Sequence, residues 1–298
     1  MRIKRSIGDK VFDWCNTILL LGLTFITLYP LVFVLSSSLS GLDSIVKKEI
    51  WLFPKDINFD SYLMVLRDKG LGTAYINSIM YTVAGTLVNV LLTTAAAYPL
   101  SRKGYSIRGP LMLFIAVTMY FSGGLVPQFV LINNLGLYNT RWVMVLLGAV
   151  NVTQLVIARV FFQTTIPDAL SEAARIDGAN DVVVFFKIVL PLSKSIIAVL
   201  TLQYAVAHWN DFFQPLIYLS DTKLQPLALY MRRLLISGTL AAGQDQSAVA
   251  FFDEFKQLAV SQQFKYATIV ITILPILCIY PFLQRYFVNG VMIGAVKE

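Results

Sequence analysis

Long apolar runs alternate with short charged breaks along this chain. Residues 14–42 hold no charge at all, enough for a helix to cross a hydrocarbon layer about 30 Å thick. Further runs fill residues 71–101, 110 to about 131, and 142–158, the last near the lower length limit for a crossing. A fifth starts near Ser195 and reaches Leu219, with Asp211 inside it, and a sixth extends from Tyr266 to about Gln284. Six such runs predict an all-α membrane protein with six transmembrane helices, because helices satisfy every backbone polar group inside lipid.

Charge sets the orientation. Arg2, Lys4, Arg5 and Lys10 precede the first run, Arg102, Lys103 and Arg108 follow the second, and Arg159 follows the fourth. Basic residues collect in cytoplasmic loops, so both chain ends are predicted inside. Residues 43–70, of mixed charge, then lie outside. So do residues 220–265, where two helical patterns, 227–236 and 248–257, are too charged to cross. The connections are too short for a second soluble domain, so residues 1–298 read as one transmembrane domain. The basic N-terminus lacks a small-residue cleavage site, which predicts a retained first helix.

Composition agrees with this reading. The chain is 57% hydrophobic and 14% charged, against about 25% charged in soluble domains. The net charge of +7 reflects topology, since no basic stripe with interleaved aromatics points to nucleic acid. Cys15 and Cys278 sit in apolar segments and offer no disulfide or metal spacing.

The most polar stretch between two runs is the predicted cytoplasmic loop, residues 164–192. Pro167 and Asp168 suit a helix start. Glu172 and Arg175 are spaced to meet on one helix face. Gly178 is the natural stop, Asn180 or Asp181 suits the next cap, and Pro191 ends that helix or restarts the chain.

This stretch carries Glu172-Ala173-Ala174, then Gly178, then Ile188-Val189-Leu190-Pro191. It resembles the EAA loop of importer permeases of the ATP-binding-cassette class, with every spacing kept. The resemblance implies a coupling helix that docks on an ATPase subunit, with Glu172, Ala173, Ala174, Gly178, Ile188, Leu190 and Pro191 as the coupling residues. AYPLSRKG at 97–104, GGLVPQFVLINNLGLYNT at 123–140, WNDFF at 209–213 and the tail from Phe287 are similar to carbohydrate-importer permeases of the maltose small-permease type. The tail is similar to a subgroup serving oligo- and polysaccharides, including alginate-type importers. Ser195 departs from that pattern, where relatives often carry proline.

The resemblance implies a second homologous permease, two ATP-binding-cassette subunits, an extracytoplasmic sugar-binding protein and a bacterial cytoplasmic membrane. The chain has no GxxxxGK[ST] loop, so no cofactor is expected on it, and ATP with magnesium belongs to the ATPase partners. No catalytic residue is expected either.

Two runs show one-sided polarity. In the second, Asn77, Tyr81, Gly85, Asn89 and Thr93 share one half of a helical wheel. In the fifth, Gln203, Tyr204, His208, Asn210, Asp211 and Gln214 form a polar arc opposite Leu202, Trp209, Phe212, Phe213 and Leu216. Of these, Asn77, Tyr81, Asn89, Tyr204, His208, Asn210, Asp211 and Gln214 are the substrate-path candidates, because polar groups facing lipid are costly. Interhelical hydrogen bonding is the alternative reading. The spacing of His208 and Asp211 permits a pair on one helix. No second His or Cys stands near His208, so a metal is not expected.

Rival functions are weaker. A secondary transporter calls for several buried ionisable groups and an internal repeat, neither of which is evident. A membrane enzyme lacks a nucleophile set. A different cargo, such as peptide, phosphate or amino acid, keeps the class and changes the solute.

Overall fold

The structure is a computed structural model. It describes residues 7–240 and 262–278, among which every regular element is helical. These residues form two compact units, exchanging at Asp68/Lys69, at Arg232/Arg233 and again between Leu274 and Pro275.

In the first unit, α1 (Ile7–Ser38) starts earlier than the uncharged run and includes Pro30. Phe25 and Ile26 are 64% and 68% exposed, an apolar surface suited to lipid. The chain then doubles back. Ser36 Oγ donates to the Leu52 carbonyl at 2.6 Å, and Asn58 N donates to the Leu39 carbonyl at 2.9 Å. The segment 43–70, expected only as a charged loop, contains α2 (Leu42–Val46) and α3 (Asp60–Arg67). Serine hydroxyls satisfy its turns: Ser44 Oγ donates to Asp56 Oδ2 at 2.8 Å.

The second unit is built on α4 (Lys69–Ser101), one continuous helix as predicted. Two later runs are broken. Residues 110–131 become α5 (Arg108–Tyr120) and α6 (Leu125–Asn134), bent by 114°. Gly124, at φ +83°, turns the chain where other residues rarely go. Residues 142–158 become α7 (Arg141–Leu146) and α8 (Val152–Thr165), with Asn151 capping α8 by accepting from Gln154 N at 3.2 Å. Arg159 therefore lies within α8, its Nε donating to the Leu100 carbonyl at 2.9 Å, and does not mark a helix end.

Next come α9 (Asp168–Ile176) and α10 (Asp181–Leu192), the latter containing a π-helical turn at Phe185–Val189. α11 (Lys194–Asn210) follows at 83° to α10. The fifth run does not continue to Leu219. Asp211 leaves the helix and α12 (Phe213–Tyr218) restarts beyond it. Asp211 Oδ1 accepts from Phe213 N and Gln214 N at 3.1 and 3.2 Å, a capping role that competes with helix continuation.

α13 (Leu227–Leu240) covers the first predicted outer helical pattern; the second lies outside the described residues. α14 (Gln262–Cys278) carries the described part of the sixth run, while the basic residues before Ile7 and the tail from Phe287 lie outside. Among the described residues, only α1 and α4 are single helices long and apolar enough to cross a membrane, and each bent pair, α5–α6 and α10–α11, adds a candidate.

Candidate functional site

α9 and α10 form the helical hairpin expected at residues 164–192. The turn closes by two hydrogen bonds, Gly178 N to Arg175 O at 3.0 Å and Ala179 N to Ala174 O at 2.9 Å. This is the Schellman arrangement, which requires a left-handed residue after the helix; Gly178 supplies it at φ +82°. Asn180 is the cap, accepting from Val183 N at 2.8 Å.

The motif splits into two sides. Ala174 is buried, and Ile188 and Leu190 pack against the same core as Phe162, Val184 and Phe185. Glu172, Ala173, Gly178 and Pro191 are exposed, and Ile176 beside them is 87% exposed. The hairpin is thus anchored on one side and presents small, acidic and apolar groups on the other.

One expected contact is different. Arg175 turns forward across the hairpin, its Nη2 2.7 Å from Asp181 Oδ1, so the ion pair joins α9 to α10. The hydrogen bond to Asp181 raises the Arg175 pKa further above its ordinary value.

The polar face of α4 is buried as the wheel predicts: Asn77, Tyr81, Asn89 and Thr93 are buried, while Val83 and Leu87 are exposed. The structure separates these residues into two groups. Near the start of α4, Asn77 Nδ2 donates to the carbonyls of Lys223 and Gln225 at 2.8 and 3.2 Å, and Tyr81 OH to that of Leu224 at 2.8 Å. Ser78 Oγ accepts from Leu227 N at 2.8 Å. These side chains hold the 222–227 turn. Asn139, at φ +55°, holds the same segment from another side, its Oδ1 accepting from Ser220 N and Asp221 N.

Deeper along α4, Asn89 Nδ2 lies 3.2 Å from His208 Nε2 and Thr93 Oγ1 lies 2.7 Å from Tyr204 OH. Tyr204 OH also accepts from Asn151 N at 3.1 Å. Gly85 makes room for the imidazole: a methyl group built there would lie 2.5 Å from His208 Cε1. His208 therefore faces Asn89, and Asp211 binds backbone amides, so the two do not form the permitted pair.

The α11 arc is not one surface. Tyr204 is buried and His208 half-buried, but Gln203 and Asn210 are exposed, and Trp209 from the apolar arc is buried. Asn210 Nδ2 donates to its own helix at Val206 O, 2.9 Å away, and Gln214 sits in the first turn of α12. Sequence reasoning assigned no contact to Ser78, Asn139 or Arg102, whose partners are far along the chain.

The exposed, anchored hairpin belongs to a chain with helices of membrane-spanning length. Residues 70–293 match the family described as "Binding-protein-dependent transport system inner membrane component", and the chain belongs to that family. It is 38% identical to Protein LplC of Bacillus subtilis over 97% of this chain and 96% of that one. It is 35% identical to the B. subtilis polygalacturonan/rhamnogalacturonan transport system permease protein YtcP, over 97% and 99%. Among solved structures it is similar to a bacterial ABC transporter involved in the import of the acidic polysaccharide alginate, with TM-score 0.86, 30% identity, and 96% and 99% coverage.

Proposed function

We infer that this chain is one permease subunit of an ATP-driven importer that moves an oligo- or polysaccharide across the bacterial cytoplasmic membrane. The observation that carries this reading is the α9–α10 hairpin, which keeps the EAA spacing and exposes Glu172, Ala173 and Ile176 beside a left-handed glycine. That face docks on an ATP-binding-cassette subunit, which hydrolyses ATP with magnesium; the permease itself is not a catalyst. A second permease completes the path, two ATPase subunits drive it, and an extracytoplasmic binding protein delivers the sugar.

The exposed positions Gln203 and Asn210 support a protein neighbour at α11, since amides facing lipid are costly. Asn89 Oδ1 and Thr86 Oγ1 are buried without a hydrogen-bond partner among the described residues, so spare polar capacity remains between the helices. Asn89, Tyr204, His208, Asn210, Asp211 and Gln214 stay path candidates, whereas Asn77 and Tyr81 serve chiefly to hold the 222–227 turn.

The deciding experiment reconstitutes this chain with its partners in proteoliposomes and offers oligogalacturonates, alginate oligosaccharides and maltooligosaccharides in turn. ATP-dependent uptake of at least one is expected. Uptake of none, alongside ATP-driven uptake of peptide or amino acid, would overturn the carbohydrate reading.

Orientation is tested separately. In a background lacking Cys15 and Cys278, a cysteine at Lys55 should react with an impermeant maleimide added outside the cell, and one at Ser106 should not. The opposite pattern would reverse the topology.

Asp211 gives a third expectation. Asp211→Ala removes both the carboxylate and the α12 cap, the latter costing about 1 kcal/mol. It should lower uptake more than Phe212→Leu in the same complex. Equal, near-normal rates would reduce this residue to a dispensable cap.

A further inference from the structure

We propose that Arg102 is a positioning residue that yokes the docking helix α9 to the inner end of α4. Arg102 immediately follows the last residue of α4. Its Nη1 donates to the Ile166 carbonyl at 3.0 Å and to Asp168 Oδ1 at 2.9 Å, and its Nη2 to the Phe162 carbonyl at 3.4 Å. The guanidinium also lies over the Tyr98 ring, 4.8 Å from its centroid. Both carbonyls lie at the end of α8: that of Phe162 already accepts from Ile166 N at 3.3 Å, and that of Ile166, the C-cap, lies past the last turn, where helical donors run out. Asp168 is the first residue of α9. One planar, five-donor group therefore spans the whole α8–α9 corner.

A role confined to satisfying carbonyls needs neither of two further contacts. The first is the ion pair with Asp168. Asp168 is 48% exposed, and pairs so placed add little to stability, so this one chiefly fixes direction. The second is Tyr98 OH, 3.2 Å from Ser171 Oγ, almost one turn further along α9. Tyr98 and Arg102 stand four residues apart on the inner end of α4 and hold successive positions of α9. Tyr98 is itself fixed in the core against Phe162 and Phe185. A push on α9 therefore reaches α4 directly, without passing through the α10–α11 side of the hairpin.

This inference rests on the importer reading, and its test separates the two. The full complex is reconstituted with whichever of the three oligosaccharide probes the wild type takes up, and uptake per ATP hydrolysed is measured. Arg102→Met should assemble and hydrolyse ATP but deliver about tenfold less sugar per ATP, within the usual range of coupling energies. Arg102→Lys should recover part of the loss, since an ammonium reaches Asp168 but cannot fork across the corner. A normal ratio in Arg102→Met overturns the yoke. Should Arg102→Met fail to assemble, the double variant Tyr98→Phe with Asp168→Asn decides: a reduced ratio supports the yoke and an unchanged ratio overturns it. A wild-type complex whose uptake ignores ATP would overturn the importer reading instead.

Discussion

Gly178→Val should abolish the stimulation of ATP hydrolysis by sugar-loaded binding protein while the chain still inserts and assembles. The space around Gly178 is open, with no atom within 4 Å of an added methyl group, so a clash is not the cause. The cost is in the backbone. At φ +82° an L-residue with a side chain sits in left-handed geometry, which costs roughly 1–2 kcal/mol, and β-branching worsens it. The strain is relieved by opening the two hydrogen bonds that close the turn, and α9 then loses its set angle to α10. We expect stimulated hydrolysis to fall by at least about tenfold, the scale of a coupling energy near 1.4 kcal/mol. Gly178→Asn should retain most of it, because Asn enters this region more readily than other residues with a side chain. Stimulated hydrolysis at the wild-type level in Gly178→Val, measured on purified complex in proteoliposomes, would show that the turn does not carry the signal. Glu172→Lys probes the exposed face without touching the turn and should weaken stimulation through reversed charge.

Gly85→Ala should destabilise the pairing of α4 with α11. Its new methyl group would lie far closer to the His208 ring than carbon atoms tolerate. The imidazole cannot simply retreat, because it is half-buried and engaged with Asn89. Forcing one extra carbon into a packed contact typically costs about 1–3 kcal/mol. A lower thermal inactivation temperature and a smaller yield of detergent-extracted complex are expected. Adding His208→Ala should restore part of both, since it removes the atoms that clash. If Gly85→Ala matches the wild type in both measurements, the close approach of the two helices is not a constraint on the fold.

The hairpin was legible because its signals are local. A glycine, an asparagine two residues later and a family-like spacing within one short segment fix a turn whatever surrounds it. The buried face of α4 was legible for a related reason: one continuous helix keeps its period. The broken runs were not, because hydropathy averages over a window and is blind to where a helix stops. The stops had signs, namely Gly123-Gly124, Asn151 as a cap, and Asp211 followed by Pro215. Each was outweighed by the apolar residues around it. Contacts made across long chain separations left no trace in the pattern, which is why Arg102 read as a charge in a loop and Asn139 only as one letter of the 123–140 stretch. Arg175 shows the smaller version of the same limit. Glu172 was in reach along the helix, but the fold brought Asp181 closer.

The unbroken length of α4 has a mechanical consequence. From Asn77 to Arg102 a helix measures about 38 Å, and a stiff rod of that length pivoting at one end by ~5° displaces the other by ~3 Å. That distance matches the hydrogen bonds, 2.8 Å long, by which Asn77 and Tyr81 grip the turn near Leu224. A small rotation at the Arg102 end is therefore magnified into a displacement as large as the contacts at the far end. The bonds from Asn77 and Tyr81 must either drag the turn along or let go, and the helix works as a lever whose load is a single loop of backbone carbonyls.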